Sequence, residues 1–362
     1  MARLAAFGLA LGVVCLPAAS AGAVSLDVQG TRLSIYGYLD VQYTYMDRMP
    51  MQTGATIMPM DAISTLDQDH LNLILHTVRD RMVANVNLES RHAFESAVQN
   101  DGTVDGHGQW NVLEAWGEYQ LSDRYQVRGG RFLAPFGIYN HMRYAIALFA
   151  PVVLPTLYET PPNYQASGGI DHLVPDDGNV MLHGAFEGPT LRTEYALYTG
   201  SGHRRADGTD KNEAKNVGAQ VNASAGGQTV GVSAYWANDE DAFGDRVHLA
   251  ASLDLGRGPA NLQAEVLTIR SSTDAVDVLS YYGRLSYRAG SDTLFAGYDF
   301  LRDRSNLIYR DGMQRWSAGV GHEVNPWILL KGEYHFHVYD GSQIPGAVEH
   351  VHMVRVAAIM VF

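Results

Sequence analysis

The sequence predicts an all-β chain, a 16-stranded antiparallel transmembrane β-barrel with a long third loop folded into the lumen. Three observations carry this expectation. Polar and apolar residues alternate with a period of two in segment after segment. Short and long links between those segments strictly take turns. No stretch beyond the first residues is apolar for the roughly 18 residues that a membrane helix needs. Composition agrees: 18% of the 362 residues are charged, while Gly (37) and Tyr (20) are plentiful. The formal net charge of −13 excludes a basic nucleic-acid binder, which needs a cationic surface. A single cysteine excludes a disulfide-stapled scaffold.

Met1–Ala23 reads as a secretory signal peptide. Arg3 gives a positive start, Leu4–Leu16 is apolar but too short to span a bilayer, and Pro17 interrupts it. Ala19-Ser20-Ala21 and Ala21-Gly22-Ala23 are both small-x-small cleavage sites. Cleavage removes Cys15 and Arg3. The mature chain, 24–362, then has 25 basic and 39 acidic side chains, a balance of −14, and forms a single domain.

Sixteen strand-like segments follow, at about 33–45, 69–78, 82–92, 111–121, 125–132, 179–186, 191–199, 216–225, 228–237, 246–254, 260–270, 278–288, 292–301, 313–322, 327–339 and 349–362. In the first, Leu33, Ile35, Leu39, Val41, Tyr43 and Tyr45 share one face, and Tyr36, Tyr38, Asp40 and Gln42 the other. Short links such as Arg79-Asp80-Arg81, Gly226-Gly227 and Ala289-Gly290-Ser291 carry turn residues. Long links such as Met46–Gln68, Ala93–Trp110 and Gly200–Lys215 fall between them. A soluble sandwich has no reason to sort its connections by length. An outer-membrane barrel does, with loops at one rim and turns at the other. A closed sheet also pairs every backbone group inside the bilayer, leaving an apolar outer and a wet inner face. Tyr43, Tyr45, Tyr119, Tyr198, Trp236, Tyr298, Phe300 and Trp327 suit interfacial girdles. Val354, Val356, Ala358 and Met360 alternate up to a terminal Phe362. This resembles the strand that the barrel-insertion machinery of Gram-negative outer membranes recognises.

Leu133–Gly178 is the longest link, and loops of this size tend to be functional. Its apolar pieces, Ile146–Leu148, Val152–Leu154 and Leu157, are costly to leave in water. Folding back into the barrel shelters them and narrows the passage. The stretch Gly130-Arg131-Phe132-Leu133-Ala134-Pro135-Phe136-Gly137 resembles the G-x-x-x-x-P-F-G segment of the 16-stranded porin group that includes the phosphate-selective porin O/P type. The resemblance implies a Gram-negative outer-membrane porin, a constricting third loop and a homotrimer. Phosphate-specific members line the channel with arginine and lysine. This chain has only Lys211, Lys215 and Lys331, so phosphate selectivity is not implied.

By parity, the lumen wall is expected to include Tyr38, Asp40, Asn87, Glu89, Glu114, Glu118, Arg192, Glu194, Glu265, Arg284, Arg315, Lys331, Glu333 and Arg355. The constriction is expected at Arg91, Arg128, Arg143, Glu159 and Asp171, with Tyr158, Tyr164, His172, Asp176 and Asp177 nearby. Glu159 and Asp171 are expected to face Arg91 and Arg128, and the acidic balance leans the channel toward cations. Other motifs fail. Asp101-x-Thr103-x-Asp105-Gly106 has Val112, not Glu, at the twelfth position of a calcium loop. His322-Glu323 lacks the second His of a zinc-protease helix, and Gly200-Ser201-Gly202 is not a nucleophile elbow. A hairpin in which 335 pairs with 352 and 337 with 350 would group four histidines; wetting at the outer rim is the expected reading, not metal binding. No catalytic residue, cofactor or metal is expected. The predicted function is a passive water-filled channel for small hydrophilic solutes or ions, with outer-membrane lipids and other copies of the chain as partners. The alternatives are a barrel enzyme of lipase or protease type, or a plugged binding barrel.

Overall fold

A computed structural model describes residues 24–53, 56–60, 62–90, 110–149, 151–159, 177–201, 215–238, 244–273, 276–304, 309–342 and 348–362. The leader, Arg91, the Asp101–Gly106 motif, Tyr164, Asp171, His172 and Asp176 lie outside these residues.

The strands are β1 (Val24–Val28), β2 (Thr31–Met46), β3 (Met49–Thr53), β4 (Thr56–Met60), β5 (Ile63–Arg79), β6 (Met82–Ser90), β7 (Trp110–Gln120), β8 (Gln126–Leu133), β9 (Asp177–Glu187), β10 (Arg192–Ser201), β11 (Lys215–Ala225), β12 (Gln228–Ala237), β13 (Arg246–Arg257), β14 (Ala260–Ser271), β15 (Asp277–Ala289), β16 (Asp292–Asp303), β17 (Tyr309–Asn325), β18 (Ile328–Ser342) and β19 (His350–Val361). β2 and β5 through β19 form the barrel. Each pairs antiparallel with the next, and β19 returns to β2 from Met353↔Met46 to Val361↔Tyr38. All sixteen expected segments overlap these sixteen strands. The largest boundary errors are at long-link rims: β5 begins at Ile63 and β17 at Tyr309, because paired hairpins continue beyond the apolar band.

Two additions were not legible in the periodicity. β3 and β4 form a hairpin inside the first long link. β1 pairs with the start of β2, from Val24↔Ile35 to Val28↔Thr31. Its physical reason is closure. β19 ends where Phe362 exchanges both backbone hydrogen bonds with Gly37, at 2.8 and 3.0 Å. The β2 edge below that point would have no partner without β1. At the short rim, Gly226 and Gly227 both have positive φ (58° and 79°), the conformation of a two-residue hairpin turn.

Alternation then sorts the side chains. On β12, Val230 and Val232 point outward and Ser233 and Tyr235 inward. Tyr38, Asp40, Glu89, Glu114, Glu118, Arg284, Arg315, Glu333 and Arg355 all lie on inward-facing positions. Tyr198 corrects the girdle expectation: it shares inward parity with Ala196 and stacks on Tyr235, ring centroids 6.3 Å apart. The histidine hairpin is also shifted by one residue. His335 pairs with Met353 and His337 with Val351. His335 and His337 are therefore buried on the inner wall, while His350 and His352 face outward and are exposed.

The outer face can be tested with one charge. Val232→Arg is expected to destabilise the barrel by about 2–4 kcal/mol, the cost of a lipid-facing cation near the midplane. Asn222→Arg, on the inward parity of β11, should stay within about 0.5 kcal/mol. Reversible urea unfolding in liposomes measures both.

Candidate pore constriction

The segment after β8 lies against inward-facing groups of the far wall. Pro135-Phe136-Gly137 makes the first docking. The Gly137 N–H donates to Ser233 Oγ (3.0 Å), and its carbonyl accepts from Gln220 Nε2 (2.7 Å). Gly137 has φ +62°, and a Cβ there would run into Glu265 Oε1 and the Tyr158 hydroxyl. Only glycine fits so close an approach, which gives the last glycine of the P-F-G motif a structural cause. Phe132, Ala134 and Phe136 are buried beneath it.

Residues 138–158 continue along β14 to β18 in the same way. Glu265 accepts from the Ile138 N–H (3.1 Å) and the Tyr158 hydroxyl (2.6 Å). Asp299 accepts from the Thr156 N–H (3.0 Å), and Glu333 from the N–H groups of Val152 and Val153. The cations serve the carbonyls: Lys331 Nζ to Pro151 (3.1 Å), Arg284 to Val153 (3.4 Å) and Arg315 to Leu154 (2.6 Å). Arg315 also donates to Asp299 at 3.1 Å. Wall charges thus satisfy the backbone of a segment that has no sheet partners of its own. Val152, Leu154 and Leu157 join one buried apolar cluster with Leu267, Leu301 and Met313.

The wall from β2 to β8 carries a different network. Gln42 Nε2 bridges Asp40 (3.0 Å) and Asp69 (2.8 Å). His70 contacts Asp69 through Nε2 (2.9 Å) and Glu89 through Nδ1 (2.7 Å), so donating to both requires the imidazolium form. Farther round, Arg128 pairs with Glu118 (2.7 Å) and lies 3.8 Å from the Trp116 ring centroid, while His183 Nε2 approaches the same Glu118 oxygen (2.9 Å).

Of the expected facing pairs, only the placement of Glu159 against Arg128 falls on described residues, Arg91 and Asp171 lying outside them. Glu159 lies 3.9 Å from Arg355, not beside Arg128, which is held by the glutamate opposite it on its own wall. Arg143 is buried on a short 3₁₀ stretch, Asn140–Leu148, and Tyr158 lies against Glu265. Asp177 opens β9. Glu114 accepts from the Leu133 N–H at 3.2 Å, at the root of the loop. Sequence reading missed Asp299, Ser233, Gln220, His70 and His183. Asp299 had a usable signal, an inward parity directly opposite Arg315. The others are ordinary polar residues until the loop or a neighbouring strand meets them.

Within the loop, burial and the adjacent Glu265 push the Tyr158 hydroxyl well above its usual range, keeping it a donor. Burial, with help from Arg128, depresses His141 to about 4.

The fold and this docked segment can now be compared with known proteins. The family described as Gram-negative porin matches residues 8–342. The chain belongs to that family. Comparison with curated proteins finds no match. Among solved structures, the anion-selective porin from Comamonas acidovorans is similar at 16% identity, covering 92% of this chain and 100% of that one, TM-score 0.66. The outer-membrane channel DcaP of Acinetobacter baumannii matches at 13% identity, 94% and 100% coverage and TM-score 0.62. Salmonella typhi OmpF, in a complex with daunomycin, matches at 12% identity, the same coverages and TM-score 0.62. The porin is an outer-membrane channel for small solutes.

Two variants test the docking. Gly137→Ala is expected to loosen the loop and raise open-channel current noise severalfold in planar bilayers. Gly117→Ala, at a position with open space around it, should leave the trace unchanged. A second check is pH. The folded loop holds His141 neutral, so its contribution is full above about 6.5 and is lost as pH falls through about 4. Thermal unfolding should therefore occur at a lower temperature at pH 4 than at pH 7, and His141→Phe should flatten that difference.

Proposed function

We propose that the loop spanning 133–178 narrows the channel and that solutes pass between it and the wall formed by β2, β5 and β6. The supporting observation is how charge is distributed around segment 134–159. Lys331, Arg284 and Arg315 are bound to loop carbonyls, and the carboxylates beside them to loop N–H groups. On the facing wall, Asp40, Asp67, Asp69 and Glu89 gather around His70, and Lys331 on β18 interacts electrostatically with Asp40. An acidic wall in a narrow aqueous passage concentrates cations. The channel accordingly prefers cations among small hydrophilic solutes. Arg128, Arg143, Glu159 and Arg355 set the remaining local field, with Arg91 and Asp171 as further candidates.

The same reading makes the protein a passive conduit and not an enzyme. It is exported by cleavage of residues 1–23, delivered to the insertion machinery through the strand ending at Phe362, and assembled as a homotrimer in outer-membrane lipid. Family membership and the alternating terminal strand support these steps.

Reversal potential across a salt gradient in planar bilayers tests the selectivity. Cation preference is expected, with Asp40→Asn/Glu89→Gln lowering the cation-to-anion permeability ratio about two- to fivefold. Anion preference in the wild-type channel would refute the reading. Deleting residues 140–170 should raise single-channel conductance; unchanged conductance would remove the constriction role.

A further inference from the structure

The first long link carries a symmetric sulfur pattern. β3 reads Met49-Pro50-Met51-Gln52-Thr53, and β4 reads Thr56-Ile57-Met58-Pro59-Met60. Their antiparallel register sets Met49 opposite Met60, Pro50 opposite Pro59 and Met51 opposite Met58. Faces alternate with every residue of a strand. The four methionine positions therefore share one face of this ribbon, and the two prolines share the other.

The prolines define the pairing further. Neither has an N–H, so Pro50 and Pro59 cannot exchange ladder hydrogen bonds and form a non-hydrogen-bonded pair. The methionine pairs on either side are then the hydrogen-bonded ones. Opposite Cα atoms in such pairs are about 5.5 Å apart, and residues i and i+2 of a strand about 6.8 Å apart. Four methionines at the corners of so small a rectangle, each unbranched with three rotatable bonds, are long enough for their thioethers to converge on one ion.

Composition sharpens the point. A two-stranded ribbon is marginal in water, and β-branched or aromatic residues suit its strands best. This ribbon instead places four of the chain's 12 methionines in two five-residue strands. Thioether sulfur is a soft, uncharged donor that selects Cu(I)-like ions, whereas imidazole suits Zn(II) and Cu(II) and carboxylate suits Mg(II) and Ca(II). The only sulfur outside methionine is that of Cys15, within residues 1–23.

The ribbon is rooted at the long-link rim. Two residues before Met49, the Asp47 N–H donates to the His352 carbonyl (3.1 Å), and the His352 N–H donates to Asp47 Oδ1 (2.8 Å). One residue earlier, Met46 lies opposite Met353, both buried on the inner wall. Three cross-strand methionine pairs thus follow one another from the wall into the ribbon.

We propose that the β3–β4 ribbon binds one soft monovalent metal ion, Cu(I) or Ag(I), through the thioethers of Met49, Met51, Met58 and Met60. The ion ties the two strands together, so binding also orders the ribbon. The site uses none of the wall charges and does not depend on the sign of the channel's selectivity.

The test is calorimetric titration of the full barrel in detergent with silver nitrate, in chloride-free buffer. One Ag(I) per chain is expected. Thioethers have no proton to lose, so the affinity should be the same at about pH 5 and about pH 7.5, whereas an imidazole or carboxylate site weakens on acidification. Met51→Leu/Met58→Leu keeps volume and apolar character. Losing outer-sphere partners alone costs metal sites about 10–100-fold, so removing two ligands should weaken Ag(I) binding at least about tenfold. Met82→Leu/Met360→Leu, which removes two exposed methionines elsewhere on the barrel, should leave the affinity unchanged. X-ray absorption at the silver edge of the wild-type complex should show a sulfur-only shell, a readout that depends on no variant. Absence of binding, a nitrogen or oxygen shell, or unchanged affinity in Met51→Leu/Met58→Leu would overturn the proposal. So would loss of binding in His350→Gln/His352→Gln, because it would move the ion to the imidazoles at the root of the ribbon.

Discussion

The obligation to pair every backbone N–H and C=O within the bilayer governs this molecule. It forces the sheet to close, and closure fixes the rest. β19 must end against β2, so the chain terminus is held by reciprocal hydrogen bonds between Phe362 and Gly37. The part of β2 that β19 does not reach is covered by β1. Closure also divides the side chains. Outward positions meet lipid and are Val, Leu and aromatic, while inward positions are free to carry charge.

The inner charges serve two physical ends. Along β14 to β18, cations and carboxylates act as hydrogen-bonding groups for a backbone segment that has no ladder of its own. Such groups are costly to bury singly, and they are tolerable here because each has a partner of the opposite kind. Along β2, β5 and β6, the charges interact with one another through Gln42 and His70. The first set holds segment 134–159 against the wall, and the second forms a side-chain network of its own. This division of labour makes the formal net charge of −13 a poor guide to any one side chain's role.

Strand number, parity and connection length were all readable before any coordinates, because each leaves a local trace. A period of two marks which side chains share a face, and turn residues mark where the chain reverses. The parity of Asp40, Glu89, Arg284, Arg315 and Glu333 followed directly. Register across a long loop leaves no such trace. The pairing across the last long link is offset by one residue, so that His335 meets Met353 and His337 meets Val351 and not His352 and His350. Tyr198 was misassigned because an aromatic near a strand end looks the same from either face.

The sequence alone determined that this chain closes sixteen strands into a barrel and which residues can face water, since these follow from periodicity and link length. Only the tertiary structure decided what those residues touch. Glu159 meets Arg355 and not Arg128, Glu265 meets Tyr158, and Gly137 docks on Ser233. These partners are brought together by the path of one loop across the barrel. That path depends on long-range packing of Val152, Leu154 and Leu157 against strands more than a hundred residues away, which no local pattern encodes.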